Sequence, residues 1–93
     1  MRVFLVVHGF VQGVGYRALV QRAAYRHMVC GYVRNEPDGS VFIGADRGDH
    51  ALDAFIREID ISIGRIQVFK IEKLRKAPSP SDEFDDKDGF VVR

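Results

Sequence analysis

Three glycines and an arginine lie close together in residues 9–17, which read GFVQGVGYR. Glycine costs backbone entropy, so its repeated use indicates a backbone that adopts positive φ or approaches another group closely. Arg17 stands near the start of a predicted helix, where the helix dipole disfavours a cation unless an anion binds there too. Backbone N–H groups at a helix start, combined with a guanidinium that can hold two oxygens, form a phosphate site. The segment therefore predicts a phosphate-binding loop.

Other glycine-rich loops also bind phosphate, and two of them can be compared with this segment. Gly13, Gly15 and Ala18 match the G-x-G-x-x-G/A dinucleotide fingerprint, and Glu36 follows about 20 residues later. That fingerprint requires parallel strands in a larger fold, whereas here the second predicted strand leads straight into a hairpin. A Walker loop is excluded because no Gly-Lys-Ser/Thr follows. A third interpretation stays open, in which the glycines serve only a tight turn and Arg17 is a solvated surface residue.

Length and composition limit the kind of protein that this chain can be. At 93 residues it has room for one compact domain, so we expect a single domain over residues 1–93. The one cysteine, Cys30, cannot form an intramolecular disulfide, and no group of cysteines and histidines has zinc spacing. We therefore expect no metal, no cofactor and a cytoplasmic location. No membrane partner is expected, because no apolar run reaches the roughly 18 to 20 residues that a membrane span needs.

Charge is distributed unevenly along the chain, although the formal net charge is only +1. Residues 1–35 contain five arginines and no acidic residue, whereas the remaining residues contain nine basic and thirteen acidic ones. A nucleic-acid-binding protein is more often basic throughout or along one long face. The distribution therefore favours a small anion as the ligand and argues against nucleic acid.

Hydrophobic patterning predicts two helices and five strands. Residues 2–8 are apolar on both parities, which is typical of a central strand. Apolar residues at helical spacing predict a helix over residues 16–28 and a second one from Asp49, a candidate N-cap. Further strands are predicted over residues 29–34, 40–45, 65–74 and 89–93. The intervening residues 77–88 contain two prolines and five acids, which is typical of a solvated loop.

The predicted order is β, α, β, β, α, β and a short terminal β. It indicates an α+β fold of the ferredoxin-like (split βαβ) type, with two helices on one face of a mainly antiparallel sheet. This fold hosts enzymes, metal carriers and RNA-binding modules, so the function has to be inferred from the site. An RNA-recognition module is disfavoured because the RNP1 pattern is missing from GSVFIGAD and the later residues are acidic.

Two segments together, GFVQGVGYR (9–17) and GYVRNEPDGSV (31–41), resemble the signature pair of the acylphosphatase family. They fit the patterns G-x-V-Q-G-V-x-[FY]-R and G-[WY]-V-x-N, and the length and element order of the chain fit as well. The resemblance implies hydrolysis of acyl phosphates, which are mixed anhydrides of a carboxylic and a phosphoric acid. It also implies that Arg17 binds the phosphoryl group and that Asn35 positions the attacking water. The binding amides would belong to Gln12, Gly13, Val14, Gly15 and Tyr16.

The implied chemistry needs few reactive side chains. A departing carboxylate is a weak base that requires no general acid, so the protein has only to hold the phosphoryl oxygens, neutralise charge and orient one water. The side-chain amide of Asn35 can both accept and donate a hydrogen bond, which suits the last task. We expect a monomer that takes an acyl phosphate as substrate and phosphate or sulfate as competitive ligands. The alternative is a non-catalytic phosphate or carbamoyl-phosphate binding module, as in hydrogenase maturation factors.

The chain departs from the family pattern at two positions outside the implied site. Met28 stands where a glycine would ease a left-handed helix end, and Phe42 replaces an acidic or amide residue on the third predicted strand. Neither departure affects Arg17 or Asn35. We expect His8 to lie at a strand end and Cys30 to be a small buried residue, both without a chemical role.

Overall fold

The computed structural model describes residues 1–93 and contains six strands and two α-helices. The strands are β1 (Arg2–Phe10), β2 (Cys30–Asn35), β3 (Val41–Asp46), β4 (Ser62–Ile63), β5 (Ile66–Leu74) and β6 (Phe90–Val92). The helices are α1 (Tyr16–Arg26) and α2 (Asp49–Ile59), and single-turn 3-10 helices occur at Pro80–Asp82 and Asp86–Asp88. Neither α-helix has the length and apolar character that crossing a membrane requires.

All six strands belong to one sheet, in the order β4-β5-β1-β3-β2-β6. Strand β1 is antiparallel to both of its neighbours, β3 and β5, which confirms the prediction of a central first strand. Strand β2 is antiparallel to β3 and parallel to the short β6. The predicted ferredoxin-like fold is confirmed. The two-residue β4, which pairs with the start of β5, was not predicted.

Both α-helices pack on the same face of the sheet, as predicted. Alternate residues of β1, namely Val3, Leu5 and Val7, point to this face and are almost fully buried there. They meet helical side chains spaced three or four residues apart, the spacing of a helical stripe. These side chains are Val20, Ala23 and Ala24 of α1 and Leu52, Phe55 and Ile59 of α2.

The opposite face of the sheet carries an aromatic cluster, Phe4, Tyr32 and Phe42, and the last loop covers it. The ring of Phe84 packs edge-on against those of Phe4 and Tyr32, with centroid distances of 6.0 and 5.6 Å. The Tyr32 hydroxyl donates to the main-chain oxygen of Asp82 at 2.6 Å. The prediction of a solvated loop over residues 77–88 was therefore wrong for its centre, because Phe84, an aromatic residue among the acids, packs on these rings and helps to bury them.

The two helix ends differ from the sequence-based prediction. Helix α1 ends at Arg26, and Met28 adopts positive φ of 56°. The N–H of Val29 donates to Ala24 O at 2.8 Å and that of Met28 to Tyr25 O at 3.2 Å, which is the bond pair of a Schellman motif. The start of α2 is capped by Gly48, so the prediction of Asp49 as N-cap was wrong. Asp49 is instead the first helical residue, where its charge is favourable to the dipole.

The left-handed position of Met28 leads to a prediction about stability. A Cβ atom is strained at positive φ, so we expect Met28→Gly to raise the free energy of unfolding by a few tenths to about 1 kcal/mol. The lost side chain contributes little packing, because Met28 is 66 % exposed. Met28→Ala is the matched control, since it removes the same side chain and keeps the Cβ. Chemical denaturation that finds the glycine variant no more stable than the alanine variant would contradict this account.

Candidate functional site

The topology places the ends of two strands beside the start of a helix. Strands β1 and β2 run in the same direction because β3 lies between them and is antiparallel to both. Their carboxyl ends therefore lie at the same edge of the sheet, where α1 begins. The loop after β1 and the last residue of β2, Asn35, meet there at a cleft of about 270 Å³. Gly13, Gly15, Arg17 and Asn35 all line this cleft, so the structure brings the central predicted residues together.

The conformation of the loop explains two of its glycines. Gly13 has φ of 72° and Gly15 has φ of 83°, both in the left-handed region that favours glycine. A Cβ at either position would meet nothing within 4 Å, so backbone conformation, rather than crowding, requires glycine. Left-handed residues that alternate with ordinary ones turn successive N–H groups toward one side, which forms an anion-binding nest. The positive φ predicted for this loop is confirmed at both positions.

The backbone N–H groups of residues 12–17 donate to no acceptor within the chain. The first helical bond of α1 runs from Leu19 N–H to Gly15 O at 3.2 Å, which leaves the preceding amides at the helix start unpaired. Unpaired donors at a helix N-terminus attract anions through both hydrogen bonding and the helix dipole. This run of donors is the strongest structural feature of the cleft.

Arg17 is the only charged residue that lines the cleft. One guanidinium nitrogen donates to the main-chain oxygen of Arg93 at 3.1 Å, and Arg17 makes no ion pair with an acid. Three other arginines of the basic first third do have acidic partners: Arg2 with Asp46, Glu83 and Asp86, Arg26 with Glu58, and Arg34 with Glu36 and Asp82. The acidic residues thus neutralise cations away from the cleft and leave the charge of Arg17 available to an anion.

Asn35 is exposed at the end of β2, on the wall of the cleft. Strand pairing with Val41 of β3 fixes its backbone. Its side-chain amide makes no hydrogen bond within the chain, so its carbonyl oxygen and its NH₂ group are both free to bind a water or a ligand.

Two other predicted residues support the loop through their side chains. Tyr16 is buried, and its hydroxyl donates to Ile59 O of α2 at 2.8 Å. Burial raises the pKa of this phenol, which keeps it protonated as a donor. Val14 packs against the main core. The side chains of Tyr16 and Val14 thus hold the loop in place, and only their backbone amides remain for binding.

The side chain of Gln12 has partners outside the phosphate-binding loop, whereas the role predicted for Gln12 concerns its backbone amide. Its amide nitrogen donates to two main-chain oxygens, those of Glu36 at 2.7 Å and Ser40 at 2.8 Å. Both acceptors belong to the turn between β2 and β3, immediately after Asn35. No local sequence pattern indicates this contact, because it joins residues more than twenty positions apart.

Sequence reasoning missed four residues that line the cleft: Val11, Ala18, Gln21 and Val92. Gln21 lies one helical turn after Arg17 and therefore on the same face, a signal that the spacing contained. Its amide donates to Phe90 O at 3.3 Å and links α1 to β6. No local pattern in the sequence shows that β6 reaches the cleft.

The histidines and the cysteine lie outside the cleft. His8 of β1 is hydrogen-bonded to Glu72 of the neighbouring strand β5 at 2.9 Å. His27 is hydrogen-bonded to Glu58 at 3.1 Å. Cys30 is half-buried rather than fully buried, because it begins a strand near the edge of the sheet. None of these groups is positioned to act on a ligand in the cleft.

Comparison with known proteins identifies relatives of the whole chain. The family model described as Acylphosphatase matches residues 3–91. The acylphosphatase of Oceanobacillus iheyensis is 42 % identical over 71 residues, which cover 73 % of this chain and 78 % of that protein. The acylphosphatase of Nitratidesulfovibrio vulgaris is 36 % identical over 88 residues, which cover 94 % of this chain and 84 % of that protein.

Two solved structures also match nearly all of this chain, but they differ in how much of their own length the match covers. The crystal structure of acylphosphatase from Bacillus subtilis has a TM-score of 0.80 at 28 % identity and covers 99 % of this chain and 97 % of its own. The structure of T. kodakarensis HypF has a TM-score of 0.81 at 28 % identity, but this chain corresponds to only 12 % of it. Because the family model covers nearly every residue and relatives of similar length match both sequence and fold, the chain belongs to the acylphosphatase family.

Proposed function

We propose that the cleft is the active site of an acylphosphatase, a hydrolase of acid anhydrides. The reaction converts an acyl phosphate and water into a carboxylate and inorganic phosphate. Hydrolysis of acyl phosphates is the activity of the family to which the chain belongs. The observation that carries the site assignment is the run of unpaired N–H donors at residues 12–17. Beside them lie the guanidinium of Arg17, which pairs with no acidic side chain, and the free side-chain amide of Asn35.

Substrate binding is assigned to Arg17 and to the backbone amides of Gln12, Gly13, Val14, Gly15 and Tyr16. Arg17 can hold two phosphoryl oxygens in parallel with its planar fork, while the amides hold the remaining negative charge at the helix start. Its bond to Arg93 O uses one guanidinium N–H and leaves other donors for the anion. Preformed donors of this kind lower the barrier because they need not reorganise as charge shifts during the transfer.

Asn35 is assigned to the attacking water. Its side-chain carbonyl can accept a hydrogen bond from the water, which fixes the line of attack on phosphorus. The water oxygen forms the new bond to phosphorus, and the bond from phosphorus to the acyl oxygen breaks. The electron pair leaves on the carboxylate, and the proton of the water passes to the phosphate. No protein side chain has to act as general acid, because a carboxylate is a good leaving group.

Three wider proposals accompany this assignment. The residues assigned to binding and to water positioning all come from one chain, so a monomer is sufficient for activity. Residues 1–93 are proposed to act as a single acylphosphatase-like domain. A cytoplasmic location is proposed from the single cysteine, and it stays a prediction.

A non-catalytic phosphate-binding module is the alternative function, and it is favoured by one observation. HypF shares the fold within a much larger protein, so the same domain also occurs as a small part of a longer chain. Turnover distinguishes the two functions, because a binding module would take up phosphate without hydrolysing benzoyl phosphate or acetyl phosphate.

The first functional prediction concerns this turnover assay. We expect hydrolysis of benzoyl phosphate that persists in a chelator, because no residue lining the cleft carries a carboxylate, imidazole or thiol. Inorganic phosphate and sulfate should inhibit competitively by occupying the loop. Absence of turnover would favour the binding module. A strong loss in chelator that a divalent cation restores would contradict the mechanism.

The second functional prediction concerns Arg17. We expect Arg17→Ala to weaken inhibition by phosphate and also to lower kcat, with each lost charge-assisted contact contributing roughly 1.5 to 3 kcal/mol. Lysine at this position should restore little, since it keeps the charge and loses the planar fork. Arg22→Ala is the matched control, because Arg22 is exposed on the same helix and lies outside the cleft. Equal effects of the two alanine variants would show that only general charge matters.

The third functional prediction concerns Asn35. Because Asn35 is assigned to the water rather than to the bound anion, Asn35→Ala should leave the inhibition constant for phosphate within a few-fold. We expect kcat to fall by roughly 10²-fold or more, in the range of lost positioning groups. Circular dichroism and steady-state kinetics on the purified variant test both expectations. A fully active Asn35→Ala would remove Asn35 from the mechanism.

A further inference from the structure

The side chain of Gln12 is the only hydrogen-bonding link between the phosphate-binding loop and the turn that follows Asn35. Its amide nitrogen lies 2.7 Å from Glu36 O and 2.8 Å from Ser40 O, so each of its two N–H groups has an acceptor. No other hydrogen bond joins residues 11–17 to residues 34–41. The two halves of the proposed active site are therefore connected at this point by one side chain.

The turn that Gln12 contacts is itself well ordered. Glu36 N–H donates to Ser40 O at 2.9 Å and Gly39 N–H donates to Glu36 O at 3.1 Å. The carboxylate of Asp38 accepts from the Ser40 hydroxyl at 2.6 Å and from its backbone N–H at 2.9 Å. These two bonds lower the pKa of Asp38, so the carboxylate stays ionised and keeps both bonds. The turn follows Asn35 directly and is held by its own hydrogen bonds, so a contact with the turn also constrains the position of Asn35.

We infer that Gln12 is a positioning residue, whose side chain fixes Asn35 relative to the phosphate-binding loop. This inference rests on the proposed function of Asn35. Catalysis by positioning is sensitive to displacements of about 1 Å, so a link that sets the separation of water and phosphorus affects turnover directly. Its effect on phosphate binding should be small, because the donors for phosphate lie in the loop and in Arg17.

The test is Gln12→Met, which keeps the approximate length of the side chain and removes both donors. Glu36 O and Ser40 O each keep a backbone donor, so we expect the variant to fold. The expected result is a kcat about 10-fold or more below that of the parent, with the inhibition constant for phosphate within a few-fold. Gln67→Met is the matched control, because Gln67 is exposed on β5, makes no side-chain hydrogen bond and lies outside the cleft.

A double-mutant cycle with Asn35→Ala separates positioning from a merely structural effect. If Gln12 acts through Asn35, Gln12→Met should change kcat by less than about twofold once Asn35 is alanine, since residues that act as a unit are not additive. An equal loss in both backgrounds, or a Gln12→Met variant as active as the parent, would overturn the inference. If Gln12→Met does not fold, Gln12→Asn takes its place, since its shorter side chain cannot hold both oxygens.

The cycle also distinguishes failure of this inference from failure of the proposed function. A fully active Asn35→Ala would refute the role of Asn35 and the inference that rests on it. An impaired Asn35→Ala combined with an unimpaired Gln12→Met would refute the inference alone.

Discussion

The fold leaves a run of backbone N–H donors without acceptors, and this constraint governs the rest of the site. An unpaired donor is tolerated only where water or a ligand can reach it, so the N–H groups of residues 12–17 have to be accessible from solvent. The left-handed conformations of Gly13 and Gly15 and the start of α1 keep these donors together. A bound phosphate would satisfy several of them at once, and this also explains why a cation is tolerated at the positive end of a helix dipole.

Charge pairing elsewhere in the molecule complements this constraint. The acidic loop lies across the aromatic face of the sheet, where Asp82 pairs with Arg34 at 2.8 Å and Glu83 with Arg2 at 3.2 Å. Phe84 anchors the loop there through ring packing, and the guanidinium carbon of Arg2 lies 3.9 Å from the centre of its ring. The acids of this loop are thus held on the face opposite the helices, whereas Arg17 at the cleft pairs with no acidic side chain. An anionic substrate approaches a site whose only charge is positive.

The sequence predicted the elements well and their long-range contacts poorly, and the difference has a physical cause. Strand and helix periodicity is a local property, so β1, β2, β3 and both helices were found with boundaries within a few residues. The motif around Arg17 and Asn35 is also local in each half, and the parallel relation of β1 and β2 follows from the predicted fold. The docking of Phe84 and the contacts of Gln12 depend on which surfaces meet in three dimensions. The acids and prolines around Phe84 predicted a solvated loop, because the composition of a segment does not show which single residue anchors it.

The split βαβ topology explains why the site needs a link such as Gln12. Because β3 lies between β1 and β2, these two strands are separated by two interstrand spacings, about 10 Å. Strand pairing therefore does not connect the loop after β1 directly to Asn35 at the end of β2. The pairing between β1 and β3 ends at Val7 and Val41, before β1 reaches the residues that line the cleft. The side chain of Gln12, with its two N–H donors, connects the loop to the turn before Val41 and leaves the cleft open.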